Sequence, residues 1–253
     1  MKILVRIALA LVLLVGIGLL VAVLMIDKLV KAAIETGGSR AAGVSVTLSS
    51  ADVSLGAGGL GLSGFAIHNP KGFKDEPFVS IGSAQAKWQN SSLLSREMVV
   101  EEFELSGVQI LLEHRDGGTN FGPILDALAG GGKAAPGPEA EASSRTLIVK
   151  RIVVRDVKAS VFIAGLTQDS AGVVIPKIEL NDFRSDGSTT EIVGALTRTI
   201  VDALLSSTLD AGGKNLPKEI LSGLERKVDA LKSEAKGVLD RAKDLKDAFK
   251  KLK

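Results

Sequence analysis

No cysteine occurs among the 253 residues. A disulfide framework, a zinc–thiolate site, an iron–sulfur cluster and a thiol nucleophile are thereby excluded, while the redox compartment stays open. Tyrosine is also absent, tryptophan occurs once and histidine twice, and aromatics make up 4% of the chain, too few for a surface that stacks bases or sugars. Neither charge sign dominates: 31 basic against 29 acidic residues leave +2, which supplies no electrostatic reason for a nucleic-acid partner. The chain is instead rich in apolar residues, at 45% with 24% charged, so it is neither disordered nor collagen-like. Its length fits one or two domains with a sizeable core.

The longest uncharged run is Ile7 to Ile26, flanked by Lys2 and Arg6 before it and by Asp27 and Lys28 after it. Twenty residues at about 1.5 Å rise make a helix of about 30 Å, the thickness of a bilayer's hydrocarbon core. A cleaved secretory signal is the rival reading. Its apolar region is ordinarily shorter and ends in a small-x-small site, whereas bulky Leu24 and Ile26 precede Asp27. The run is therefore read as an uncleaved anchor over 1–27, with the early basic residues holding the N-terminus in the cytoplasm and Lys28 and Lys31 blunting that asymmetry. Residues 28–43 follow as a juxtamembrane helix and turn. Asp27 to Thr36 extend the helix into water, and Gly37-Gly38 reads as its stop.

From Val44 onward the pattern changes to short alternating runs. Val44, Val46 and Leu48 form one; Phe65 and Ile67, then Val99 to Leu105, then Val108, Ile110 and Leu112 follow. Leu147, Val149 and Val153, then Val157 to Ile163, then Ile178 and Leu180 continue the series. Such alternation marks strands with one apolar and one wet face, as in an antiparallel sheet covered on one side. Asn69-Pro70-Lys71-Gly72, Asp116-Gly117-Gly118 and Ser185-Asp186-Gly187 supply turns. The fold class expected is α+β: an N-terminal transmembrane helix, a curved, mostly antiparallel sheet of about eight strands over 44–187, and one or two packing helices. Asn120 caps a short helix through Ile124, Leu125 and Leu128, and the Gly, Ala, Pro and Ser-rich stretch 130–144 reads as a flexible loop. Ser188-Thr189-Thr190-Glu191 forms a capping box for a packing helix over 188–212.

The tail, 213–253, carries a seven-residue repeat. Leu224, Leu231, Val238, Leu245 and Leu252 fall at d, with Leu221, Val228, Ala235, Ala242 and Phe249 at a. An amphipathic helix of about 35 residues, roughly 50 Å long, follows from that pattern. A parallel homodimer would set Lys227 against Lys232 and Arg241 against Lys246, so an antiparallel partner, the sheet or a membrane surface competes for the seam. Twelve basic and seven acidic residues from Lys214 to Lys253 leave about +5, a charge suited to anionic lipid as well as to an ordinary solvated face. Leu224, Val228, Leu231, Val238, Leu245, Phe249 and Leu252 are the candidate interaction residues of this tail.

Motifs that carry chemistry fail on context. Gly56-Ala57-Gly58-Gly59-Leu60-Gly61 matches G-x-G-x-x-G, but strand-like sequence follows where a dinucleotide site needs a helix N-terminus. His68 and His114 lie beside separate turn signals, read as surface turn residues, with no metal-pair spacing. Glu101, Glu102 and Glu104 read as solvated strand carboxylates, since no apolar patch would raise a pKa. Asn90-Ser91-Ser92 is a glycosylation sequon that means little without a eukaryotic secretory context, and no G-x-S-x-G elbow supports a hydrolase. No enzyme activity, cofactor or metal site is expected.

Several segments in order carry a likeness. The anchor, His68-Asn69-Pro70-Lys71-Gly72-Phe73, Ser83 to Trp88, Leu93-Leu94-Ser95, Val99 to Val108 and Gly118-Thr119-Asn120-Phe121 resemble the N-terminal region of AsmA-like proteins. Pro176 to Phe183 followed by an apolar helix resembles small single-anchor members of that group, and the likeness spans roughly residues 1–205. Its motifs specify turns and strands; Asn69, Pro70, Gly72 and Phe73 are the family-like turn. The resemblance implies a bacterial inner-membrane protein, single-pass, facing the periplasm, related to β-groove proteins that carry phospholipid and support outer-membrane biogenesis. It offers no catalytic residues. About eight strands at about 4.8 Å make a sheet only about 40 Å wide, too short to bridge two membranes alone.

An apolar sheet face needs a cover: its own helices, another subunit, or acyl chains. Phe65, Ile67, Val79, Ile81, Phe103, Ile110, Val161 and Ile178 are the inward positions expected to hold phospholipid if the groove is open. A sheet closed by the helix from Thr190 to Leu205 would instead be a scaffold whose heptad tail docks a protein partner.

Overall fold

A computed structural model describes residues 25–93, 95–115, 117–129, 145–165, 170–212 and 216–228. The fold is α+β, with a mixed, unclosed sheet of eight strands. Helix α1 (residues 25–42) precedes β1 (Val46–Thr47), β2 (Ser50–Ser54), β3 (Gly59–His68), β4 (Pro77–Trp88) and β5 (Glu97–Arg115). The short β6 (Gly118–Thr119) and α2 (Phe121–Ala129) lead to β7 (Arg145–Ile163), β8 (Ser170–Gly187), α3 (Thr189–Gly212) and α4 (residues 218–228). The expected anchor lies outside the described residues except for Met25 to Asp27, as do the loop 130–144 and the tail beyond Val228.

The sheet runs β1-β3-β4-β5-β7-β8, with β2 also on β3 and β6 on β5. Every ladder among the described residues is antiparallel except β5–β7, which is parallel. A parallel pair needs a crossover, and the stretch after β5 that contains β6 and α2 provides it. Alternation alone carries no strand direction, which is why this pair escapes the sequence pattern.

One edge of the sheet is sealed by side chains of α1. Asp27 Oδ1 accepts from the Val53 N–H (2.8 Å), Glu35 Oε1 from the Leu48 N–H (2.9 Å) and Ser39 Oγ from the Val46 N–H (2.8 Å). Lys31 Nζ donates to the Ser49 carbonyl (3.2 Å). Residues 27, 31, 35 and 39 are four apart and so form one stripe, running antiparallel to β1 and β2. The helix thus satisfies edge groups that β3 leaves free. The expectation that α1 projects into water and stops at Gly37-Gly38 is corrected on both points. It continues to residue 42 and ends at Gly43, whose φ is +68°. The two glycines allow close approach instead: a Cβ on Gly37 would lie 3.0 Å from Val193 Cβ in α3, and one on Gly38 would lie 3.0 Å from Val46 Cγ1.

The long strands share an irregularity. On β5 the buried positions run Phe103, Leu105, then Val108, Ile110, Leu112, so the alternation slips by one at Gly107. The same slip occurs at Gly82 on β4, between Ile81 and Ala84, and at Asp156 on β7, between Val154 and Val157. On β8 it falls between Ile175 and Ile178. In register these positions form one row across the sheet: Ser49, Gly64, Gly82, Gly107, Asp156, Pro176. Gly64, Gly107 and Asp156 have φ of +61°, +67° and +54°. Two residues instead of one turn outward on each strand, so the same face stays apolar on both sides of the row. Left-handed backbone is open to glycine and tolerated by aspartate, and Pro176 sits on an edge strand where no ladder bond is lost.

The core lies on that one face. α3 packs mainly on β8 and touches α1, where a Cβ on Gly194 would lie 3.2 Å from Ala41 Cβ. Its start is the expected capping box: the Ser188 N–H donates to Glu191 Oε2 (2.8 Å) and the Glu191 N–H to Ser188 Oγ (3.4 Å). Among the described residues α3 is the one helix long and apolar enough to cross a membrane; Ile200, Val201, Leu204 and Leu205 on it are buried, while Ile192, Val193, Leu196 and Leu209 are half-buried.

Gly107→Val places a β-branched residue at φ +67° and costs at least about 2 kcal/mol, whereas Asp156→Gly leaves stability unchanged or raised. Thermal melting of the two variants beside the parent checks the contrast; equal melting temperatures would remove the left-handed row.

Candidate functional site on the covered face of the sheet

The eight inward positions do share a face. Phe65 pairs with Ile81, Ile67 with Val79, Val79 with Ile110, and Ile81 with Val108, while Phe103 and Ile178 extend the face through Ile152 and Val154. Val161 continues it beside Leu112. Seven of them are buried and Phe65 is half-buried. They belong to one apolar cluster with Ile124, Leu125 and Leu128 of α2, Leu204 and Leu205 of α3, and Ile220 of α4. The chain's own helices therefore occupy this face. Toward the β2–β3 end the cover thins, and Val53, Leu60, Leu62 and Phe65 are only half-buried.

Of the heptad residues, Leu224 and Val228 are buried in that same cluster at 0% and 1% exposure. They pack inward and are not free for a separate partner. Leu231, Val238, Leu245, Phe249 and Leu252 lie outside the described residues. α4 crosses close to α2 and β6, since a Cβ on Gly223 would lie 3.2 Å from the Phe121 ring, and Lys227 pairs with Asp126.

The family-like turn meets the Gly118-Thr119-Asn120-Phe121 segment in a buried polar corner. Asn120, fully buried, accepts from the Glu113 N–H (2.8 Å) and donates to the Leu111 carbonyl (2.7 Å) and Asn69 Oδ1 (2.8 Å). Asn69 in turn donates to the Lys74 carbonyl (3.1 Å). Glu113, at 0% exposure, accepts from the Lys74 N–H (2.8 Å) and from Arg115 Nε (3.0 Å) and Nη2 (2.8 Å). Pro70 accepts from the Phe73 N–H (3.4 Å) around Gly72, whose φ is +95°. Ile110, Leu111, Leu112 and Glu113 are buried in succession on alternating faces of β5, and a charge closing that apolar run was the available signal. The corner's acceptors are engaged, so it fixes the turns onto the sheet and leaves no group poised for chemistry.

The opposite face is a charge lattice. Glu101 pairs with Lys150, Glu102 with Arg151, Glu104 with Arg155, Glu97 with Arg184 and Glu179 with Lys177. The hydrogen bond from Arg151 holds the Glu102 carboxyl below the ordinary carboxylate value, and Lys150 with Gln89 does the same to Glu101. Lys177 lowers Glu179 likewise. Val153, in register with Glu104 and Glu179, is 0% exposed beneath these side chains. The three glutamates are lattice members and not merely solvated carboxylates.

The histidines also need correction. His68 ends β3 with Nε2 3.0 Å from Thr47 Oγ1, and His114 lies within β5 with Nδ1 buried and unpartnered among the described residues. His114 borders an open cleft of about 570 Å³ shared with Thr119, Glu219, Ser222 and Arg226. No group of three metal-ligating side chains occurs among the described residues. The glycine-rich motif is the turn from β2 into β3, with Gly58 at φ +68°.

Asn120→Ala removes the partner of the buried Glu113 N–H, the buried Leu111 carbonyl and the half-buried Asn69 Oδ1 and costs about 3 kcal/mol, readable by urea denaturation. Depressed carboxylate values in the fold stabilise it above the ordinary value of 4.5, and that stabilisation is lost as pH falls through the lower folded values. Between about pH 6 and pH 3 the parent therefore loses more melting temperature than a variant carrying Glu101→Gln, Glu102→Gln and Glu179→Gln. Equal losses would show the lattice to be thermodynamically silent.

No known family model, curated protein or solved structure matches this chain.

Proposed function

We propose that the chain is a non-enzymatic, membrane-anchored module of the bacterial envelope, an AsmA-like sheet closed by its own helices that acts as a scaffold on the periplasmic side of the inner membrane. The observation that carries this reading is the filling of the apolar face: Val79, Ile110 and Val161 are each 1% exposed beneath residues of the helices. An acyl chain would have to displace those helices. The apolar run Ile7–Ile26 supports the anchor, and the heptad residues beyond Val228 supply the segment for a protein partner. Nucleic acid and cofactors have no part in it.

A second reading, phospholipid held in the groove and passed toward the outer membrane, is favoured by one feature. Val53, Leu60, Leu62 and Phe65 face inward yet stay half-buried, so an acyl chain has apolar surface at the β2–β3 end.

Native mass spectrometry with lipid extraction on the full chain separates the two. The scaffold reading expects lipid content unchanged between the parent and Phe65→Asp. Stoichiometric phospholipid lost in Phe65→Asp and retained in Val174→Asp, both folded, would replace it with the groove reading.

A further inference from the structure

Among the described residues four large apolar side chains stand out as exposed: Met25, Leu29, Leu55 and Val174. Three of them lie toward one end of the sheet edge, Met25 and Leu29 on the side of α1 turned away from β2. Met25 (46% exposed) and Leu29 (61%) are four apart on α1 and share a side of it. Leu55 (37%) begins the glycine-rich turn after β2, two residues past Val53, whose N–H is held by Asp27. α1 and β2 run antiparallel, so going back along the helix and forward along the strand leads to the same end. From the Asp27–Val53 contact, Met25 lies about 3 Å along the helix and Leu55 about 7 Å along the strand. Leu55 therefore reaches past the level of Met25.

That end is where the apolar run Ile7–Ile26 joins the fold, since its last residues, Met25 and Ile26, are already helical in α1. The turn itself is suited to a bilayer surface. Leu55, Gly56 and Ala57 carry no charge and are exposed, and a Cβ on Gly56 would meet nothing within 4 Å. Asn90 Nδ2 donates to the Gly56 carbonyl (3.2 Å) and the Trp88 N–H to the Gly58 carbonyl (3.0 Å), so the turn is braced from behind while its tip stays free. Exposed apolar residues on a rigid turn, set level with the end of a spanning segment, fit the interfacial zone of the same membrane.

We infer that the Leu55-Gly56-Ala57-Gly58 turn is a second membrane contact, dipping into the lipid interface at about the level of Met25 and fixing the sheet's tilt on the bilayer. The inference rests on the anchor reading of Ile7–Ile26. One span leaves a domain free to swivel, whereas a span plus an inserted turn defines a plane of attachment. The match of the motif to a phosphate-binding fingerprint is then incidental: its glycines serve a tight turn with little side chain at the tip.

Because the chain has no cysteine, one introduced cysteine gives one labelling site. Leu55→Cys and Val174→Cys, each in the full chain, are spin-labelled and reconstituted into vesicles of phosphatidylethanolamine and phosphatidylglycerol. Relaxation by oxygen, which partitions into lipid, is compared with relaxation by a water-soluble nickel chelate. The expected result is an oxygen-to-nickel ratio several-fold higher at Leu55 than at Val174, with both variants melting like the parent. Similar ratios at the two sites, in protein that resists carbonate extraction, would overturn the turn's contact and leave the anchor standing. A Leu55 label shielded from both relaxants would assign the turn to a protein contact and overturn it equally. Protein extracted by carbonate would overturn the anchor and the inference together.

Discussion

An unclosed sheet ends in rows of unpaired N–H and carbonyl groups, and in this chain the way those rows are satisfied determines much else. At the β1–β2 edge the answer is a helix whose polar stripe, Asp27, Lys31, Glu35 and Ser39, stands in for a neighbouring strand. The substitution has a geometric condition: α1 has to lie straight along the edge and close to it. Gly37 and Gly38 meet that condition, because larger residues there would push the helix off Val46 and Val193. α1 then becomes a rail against which α3 packs, and α3 in turn covers β8. The β8 edge is defended differently, by Pro176, by left-handed Asp182 and by charged Lys177 and Arg184.

The row from Ser49 to Pro176 is the second constraint, and it explains how the sequence reads. Val99 to Leu105 and Val108 to Leu112 look like two strands because their alternation is out of phase, whereas Leu147 to Val153 and Val157 to Ile163 share one parity and are parted only by the polar Arg155-Asp156. Each pair is one strand, β5 or β7, with Gly107 or Asp156 at the phase slip. The number of strands agrees with the expectation while their partition does not: splitting the two long strands β5 and β7 compensates for the short β2 and β6, which no run in the sequence marks, while Val44 to Leu48 marks the place of β1. A phase slip in one strand is indistinguishable from a turn. Only register across neighbours reveals that Gly64, Gly82 and Gly107 lie in line.

Inward positions were legible because burial in a one-sided sheet imposes a two-residue period, and Ile67, Val79, Ile110 and Val161 follow it. What covers them was less legible. α3 announces itself by a capping box and a helical stripe, but α4 shares its first turns with a heptad repeat, so Leu224 and Val228 read equally well as a seam for another chain. A heptad states that a face is apolar and not which surface it meets. The polar corner was hidden for a related reason: Asn69 lies 51 residues before Asn120, and Asn69, Glu113 and Asn120 each alone resemble a turn residue or a strand end.

Under the proposed anchor, these constraints bear on how the sheet would sit relative to a membrane. A helix hydrogen-bonded along its length to a strand edge cannot pivot independently of the sheet without breaking several backbone-directed bonds, each worth about 1 kcal/mol. Any span that continues α1 upstream therefore transmits its orientation to β1 and β2 directly, without a linker. In most tethered domains a polar linker decouples the two, and the domain samples many orientations. Here Asp27 is at once the first charged residue after the apolar run and the first acceptor of the edge stripe. One carboxylate ends the apolar run and begins the lock on the sheet, which leaves no room for such a linker. A scaffold that presents its surface at a defined height and angle above a bilayer would need this arrangement, and a freely diffusing lipid carrier would not.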